Sequence, residues 1–444
     1  MVEFAFHFPS GFLWGTATSS HQVEGDNTNN DWWRWEQEPG RIRDGSRSGR
    51  ACDWWRNAEA DFDRAAAMGQ NAHRLSIEWS RIEPREGVFD DAALDRYREM
   101  LRGLRERGIE PMVTLHHFTN PLWLAEQGGW ENPLTVERFE RYVRHAVGAL
   151  KDFCRLWCTI NEPNVLAYMG WNEGKWPPGK RDFGLSMQVL RHLMQAHARA
   201  YHAIHEIQPE AQVGIAHNMV VFEPAHPASP LDRMIARLHD RMFNRLVLDA
   251  MAAGREPGLA AFRTLAALRG TYDFIGLNYY TRRLSAFDRR SPATLFGRTF
   301  LNPHGELSDG EYGEVFPEGL YLLLKRLARY GKPIYVTENG IPDADDDQRP
   351  RFLVRHLHAM WRAIQQNVPV RGYFHWSLVD NFEWAEGWTL RFGLIEVDPE
   401  TQARRPRRSA DLYAEVCRAN ALTSETIIRH TPELLEEMFG ISIG

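Results

Sequence analysis

Two glutamates occupy matched settings in this chain, Glu162 in Thr159-Ile160-Asn161-Glu162-Pro163 and Glu338 in Val336-Thr337-Glu338-Asn339-Gly340. Each closes a short apolar run that reads as a buried strand. Two carboxyl groups facing one another across a sugar can break a glycosidic bond. One gives a proton to the leaving oxygen while the other attacks or screens the anomeric carbon. The pairing therefore points to glycoside hydrolysis, provided the fold brings the two runs face to face.

The rest of the sequence supplies such a fold. Strand-like runs recur near residues 12–18, 72–79, 111–117, 156–161, 212–218, 272–280, 333–338 and 372–378, with amphipathic helical stretches between them. Eight strands alternating with helices predict parallel pairing and a single α/β domain, a closed (β/α)8 TIM barrel, in place of an open doubly wound sheet. One spacer shows the helical signal plainly: after Asp90, a suitable N-cap, Leu94, Tyr97, Leu101 and Leu104 recur at three- and four-residue steps until Gly108 stops the helix. The barrel is assigned to residues 1–421 and a C-terminal extension with a short helix to 422–444. Docking of that extension on the barrel and contact with another subunit are both open at this stage. The acidic run at 343–347 and the basic run at 404–408 read as solvated surface.

In such a barrel the site lies at the carboxyl ends of the strands. Glu162 follows the fourth strand and Glu338 ends the seventh, so the two face each other across the mouth. Gln22, Arg74, His117, Asn161, Asn278 and Tyr280 converge on the same rim, and the eighth strand delivers Trp376 and then Glu383 and Trp384. Amide, imidazole and carboxylate groups over an indole floor suit a hydroxyl-rich ring. A cation at Arg74 would keep Glu338 ionised as a nucleophile, while Glu162, in a drier place near another negative charge, would be held protonated as the acid. Tyr280 could add a hydrogen bond to Glu338.

Composition agrees with a small neutral ligand. A formal net charge of −6 over 444 residues gives no electrostatic reason to expect nucleic acid or an anionic membrane as partner. The four cysteines are too few and too scattered for a disulfide scaffold. No zinc-binding pattern and no glycine-rich phosphate loop occurs, so neither metal nor cofactor is expected. The histidines of the 187–207 stretch read as helix packing and surface. No secretory leader and no membrane-spanning run is visible, which predicts a soluble, cytoplasmic protein; homo-oligomerisation is open.

These motifs resemble glycoside hydrolase family 1, the β-glucosidases and β-galactosidases, over nearly the whole chain. Residues 8–25, FPSGFLWGTATSSHQVEG, are close to that family's N-terminal signature, and TINEP, VTENG and WSLVDNFEW follow in the family's order. The resemblance implies a retaining mechanism with Glu338 as nucleophile and Glu162 as acid and then base. It also implies a sugar pocket of Gln22, His117, Asn161, Glu383 and Trp384 with Trp376 as its floor, Phe392 as lining, and Asn278 and Tyr280 supporting the nucleophile. Glu162 and Glu383 are both kept, unlike the thioglucosidase and 6-phospho-sugar branches, so the expected substrate is an unphosphorylated O-glycoside, most simply a β-glucoside. The chain departs from the family at His116-His117-Phe118, where many members have Tyr-His-Trp. It departs again at Tyr312-Gly313, where a tryptophan on the leaving-group side is often found. Tyr312, Trp171, Asn218 and Phe316 are the candidates to replace it. The alternatives are a β-galactosidase, β-fucosidase or transglycosidase with the same site, and an inactive sugar-binding barrel.

Overall fold

The computed structural model describes residues 4–257, 265–291 and 294–440. Each of the eight apolar runs carries one strand: β1 (Leu13–Ala17), β2 (Ala72–Ser76), β3 (Glu110–Thr114), β4 (Leu156–Asn161), β5 (Gln212–Pro224), β6 (Ile275–Phe287), β7 (Ile334–Asn339) and β8 (Val370–Trp376). Every strand pairs in parallel with the next, and β8 pairs with β1, so the sheet closes into a barrel.

β2 and β4 are buried at every position; their apolar residues pack on both faces, and their polar ones, such as His73, Arg74 and Asn161, are buried with hydrogen-bond partners. Inside the barrel, Ala17, Ala72 and Ala216 alternate with Met112, Leu156, Phe274 and Phe374, small against large, and fill the interior. Outside, helices cover the strands. The helix Asp91–Glu106 starts where Asp90 accepts hydrogen bonds from the Ala92 and Ala93 amides at 2.9 and 3.3 Å. It buries Leu94, Tyr97, Leu101 and Leu104, and Gly108 follows its end at φ +72°.

Two strands outrun the expectation. β5 and β6 continue past the barrel rim to Pro224 and Phe287, stay paired there, and β6 takes on the antiparallel strand Gly297–Phe300. This raised ribbon forms one wall of the mouth. At the other end, Ala421–Thr423 pairs antiparallel with Ala5–His7, and Phe439 of the last helix stacks on Phe6 with centroids 4.6 Å apart. The tail residues up to 440 thus dock beside the entry to β1.

The charge runs are solvated only in part: Asp345, Asp347, Arg405 and Arg408 are exposed, while the other charged residues of both runs are partnered inside the fold. Asp346 pairs with Arg349 and accepts from the Ser409 amide and hydroxyl, and Asp343 accepts from the Gln348 and Arg349 amides. Arg404 reaches the buried Asp61 at 3.1 Å. Arg407 meets Asp380 through both guanidinium nitrogens at 2.9 and 3.0 Å, with both side chains buried. Asp380 also accepts from the Gly393 and Val397 amides, so this pair fixes the loop that leaves β8. A buried carboxylate that loses its partner is strongly destabilising, so Arg407→Met should cost about 3 kcal/mol or more. Urea unfolding measures this, and a loss below about 1 kcal/mol would show that the pair does not hold the loop.

Candidate active site

Glu162 follows β4 directly. Its amide donates to Ala216 O on β5 at 2.7 Å, and its backbone is held at φ +44° at the start of the helix Pro163–Ala167. Glu338 is the penultimate residue of β7. Both open into one cavity of about 890 Å³ at the carboxyl ends of the strands, a volume that suits a small ligand. His117, Asn161, Asn218, Tyr280, Tyr312, Trp376, Glu383 and Trp384 line it as well.

The two carboxyl groups are hydrogen-bonded differently. Glu338 has one donor on each oxygen: Arg74 Nη1 on Oε1, and the Tyr280 hydroxyl on Oε2 at 2.7 Å. Arg74 is buried. Burial opposes its charge, but the surrounding groups, Glu338 foremost, together outweigh that and raise its pKa, so it stays a cation. Tyr280, raised well above 10 by burial and by the Glu338 charge, stays a donor. Glu162 instead takes two amide donors on Oε1, Asn278 at 2.8 Å and Asn218 at 2.9 Å, and none on Oε2 among the described residues. Burial, and then the charge of Glu338, push its pKa up to about 8. At neutral pH it is therefore protonated. With Oε1 serving as acceptor, the proton belongs on Oε2, the oxygen left free.

The same network sets the imidazole. Asn161 Oδ1 accepts from Arg74 at 2.7 Å and Asn278 at 3.2 Å, which turns its amide nitrogen to His117 Nε2 at 3.1 Å. Burial holds His117 neutral, so the ring proton is on Nδ1, itself buried and without a partner among the described residues. Across the floor, Trp376 and Trp384 flank His117 with centroids 6.0 Å away on each side. Glu383 Oε2 accepts from Gln22 and Asn381, each at 3.0 Å, while Oε1 takes no hydrogen bond from the described residues. Burial raises its pKa to about 8. Gln22 is buried behind the wall, with its amide oxygen held by the Ser19 hydroxyl at 2.6 Å.

Some expected positions move. Asn278 is aimed at Glu162 and Asn161, because the pairing with β7 shifts register between Leu277 and Asn278; it does not support Glu338. Of the leaving-group candidates, Tyr312 and Asn218 line the cavity. Trp171 is buried with its indole nitrogen donating to Glu131 at 2.8 Å, and Phe316 lies under Arg282 at 4.0 Å, so neither faces the cavity. Phe392 packs behind Tyr312 and Tyr280 with centroids 5.3 and 6.1 Å away. The histidine-rich helix is structural: His197 lies between Thr159 Oγ1 at 2.6 Å and Thr271 O at 2.7 Å.

Sequence reasoning missed Ser19 and Asn381, which orient other site residues and carry no signal of their own beyond their place in the motifs. It also missed the apolar wall of Met187, Leu190, Phe222, Met242 and Phe243, which reads as ordinary core.

The model of glycosyl hydrolase family 1 matches residues 5–422. Beta-glucosidase A of Thermotoga maritima is 35% identical, covering 94% of this chain and 98% of its own. A beta-galactosidase of Sulfolobus acidocaldarius is 33% identical, covering 94% and 96%. The solved beta-glycosidase from Pyrococcus horikoshii superposes with a TM-score of 0.90 at 40% identity, over 96% of this chain and 98% of that one.

The raised pKa of Glu162 has a stability consequence. A carboxyl whose folded pKa is about 8 and whose unfolded value is the ordinary 4.5 destabilises the fold progressively as pH rises from 4.5 to 8. Glu162→Gln, which keeps the acceptor on one side and cannot ionise, should therefore melt higher than the wild type at pH 8 by several degrees, with the gap closing towards pH 4.5. Scanning calorimetry at the two pH values checks this; an equal gap at both would show that ionisation of Glu162 is not its source.

Proposed function

Because the chain belongs to glycosyl hydrolase family 1 and is a glycosidase, we propose that it removes terminal non-reducing β-D-glucosyl residues from small glycosides and oligosaccharides with retention of configuration. The observation that carries this reading is the unequal hydrogen bonding of the two glutamates, with one donor on each oxygen of Glu338 against two on a single oxygen of Glu162.

Glu338, oriented by Arg74 and Tyr280, attacks the anomeric carbon. The glycosidic C–O bond breaks as Glu162 Oε2 hands its proton to the leaving oxygen, giving a glycosyl ester on Glu338 and an ionised Glu162. Esterification removes the Glu338 charge that helped raise the Glu162 pKa, so the Glu162 carboxylate is stable enough to persist as a base. It then takes a proton from water, whose oxygen attacks the anomeric carbon and frees Glu338.

Two groups that line the cavity are prepared for sugar hydroxyls before any sugar arrives: the Oε1 of Glu383 and the Asn161 amide, held between His117 and Arg74. Trp376 offers an indole face to the ring. The glucoside preference is supported by the T. maritima relative. A galactoside is the second reading, supported by the S. acidocaldarius relative and by a Glu383 oxygen with no partner among the described residues to fix which 4-hydroxyl epimer it meets. The described cysteines are all free and buried, which supports a reducing, cytoplasmic setting. No helix among the described residues is long and apolar enough to cross a membrane. Release of glucose from short cellulose fragments fits such an enzyme.

Incubation with an activated 2-deoxy-2-fluoro-β-D-glucoside, which slows turnover of the glycosyl ester, should leave a stable adduct on the peptide carrying Glu338, read by peptide mass spectrometry. An adduct only with the galacto probe would move the substrate to galactosides. None with either probe would remove Glu338 as nucleophile.

A further inference from the structure

The outer wall of the cavity carries charge that the protein does not neutralise. Along β6, successive side chains face opposite ways. Arg282 turns from the cavity, meets Glu314 and Glu223, and lies over the Phe316 ring at 4.0 Å. Its neighbour Arg283 lines the cavity and has no carboxylate partner among the described residues. Among the described residues its one side-chain hydrogen bond is Nη2 donating to Tyr312 O at 3.5 Å. Arg298, on the strand paired with the end of β6, lines the same cavity and also lacks a carboxylate partner among the described residues. The other cations at this mouth are paired, Arg43 with Glu386 at 3.1 Å and Lys175 with Glu173 at 3.3 Å.

Arg283 is half-buried, and the titratable groups facing it are the hydroxyls of Tyr312 and Tyr168, which burial keeps neutral. Tyr168 follows the short helix that Glu162 begins, so this corner is on the side where Glu162 delivers its proton to the leaving group. Holding a guanidinium out of water without a counter-charge is unfavourable, and its flat fork matches a carboxylate in shape as well as sign. The flanking tyrosine rings suit an aromatic body between the anion and the glycosidic oxygen.

We propose that Arg283 forms an anion subsite for the leaving group, giving the enzyme a preference for β-glycosides whose aglycone is an aromatic acid. This inference rests on the glycosidase reading of the cavity. It is tested by kcat/KM for 4-carboxyphenyl β-D-glucoside and for its methyl ester in the wild type, Arg283→Met and Arg283→Lys. The ratio of acid to ester cancels differences in leaving-group chemistry between variants. That ratio should fall about tenfold in Arg283→Met, chiefly through KM, and recover in part in Arg283→Lys. In the wild type it should fall with added salt. A ratio within twofold of the wild type in Arg283→Met, or an equal loss on both substrates, would overturn the subsite while leaving the glycosidase reading intact. A wild type that cleaves neither compound would remove the glucosidase reading and the subsite with it.

Discussion

Arg74 is a buried cation in the middle of a barrel, and such a charge can exist there only if each of its donors meets an acceptor. Its three nitrogens reach three strands: Nε goes to Thr114 Oγ1 on β3 at 3.0 Å, Nη2 to Asn161 Oδ1 on β4, and Nη1 to Glu338 on β7 and to Thr337 O at 3.3 Å. One side chain thereby fixes the direction of the Glu338 carboxylate, the flip of the Asn161 amide and, through Asn161, the tautomer of His117. Thr337 extends the network by donating to Asn278 Oδ1 at 2.7 Å, which turns the Asn278 amide nitrogen towards Glu162. The different protonation of two chemically identical residues follows from this arrangement: the carboxyl beside the cation carries the charge, and the one beside that charge keeps its proton.

The backbone around the network is held under constraint. Phe118, Glu162 and Trp384 all line the cavity with positive φ, at +73°, +44° and +49°, a conformation that costs about 1–3 kcal/mol for residues with side chains. Gly340, two residues beyond Glu338, passes so close to β8 that a Cβ there would stand 1.9 Å from Trp376 O. Only glycine lets the end of β7 lie against the residue that forms the sugar floor. These costs are offset by the closed barrel and by the buried Asp380–Arg407 pair, which anchors the segment between Trp376 and Glu383 from below.

The barrel was legible because strands buried on both faces are mostly apolar, and eight such runs at helix-length spacing admit few arrangements. The placement of Glu162 and Glu338 followed from strand number alone. What stayed hidden depends on partners distant in the chain. The basic run around Arg407 looks solvated until Asp380 and Asp61 fold against it. The ends of β5 and β6 lie half-buried above the rim; the polar Thr281-Arg282-Arg283 of β6 gives no strand signal, and that stretch is a strand because β5 pairs with it. Asn278 was placed on the right strand with the wrong partner, since a register shift decides which glutamate its amide meets. Trp171 shows the limit of residue type as a guide: an indole suits a sugar, and this one is spent on Glu131.

The central claim is that Glu162 holds its proton at neutral pH and that the charge on Glu338 helps keep it there. Carbon-13 NMR titration of protein labelled at the glutamate side-chain carboxyl, with the Glu162 signal assigned by its loss in Glu162→Gln, measures this directly. The account predicts a Glu162 pKa of about 8 in the wild type and a clearly lower value in Glu338→Gln, where the neighbouring charge is gone. A Glu162 already ionised at pH 7, or one whose pKa is the same with and without the Glu338 charge, would contradict it.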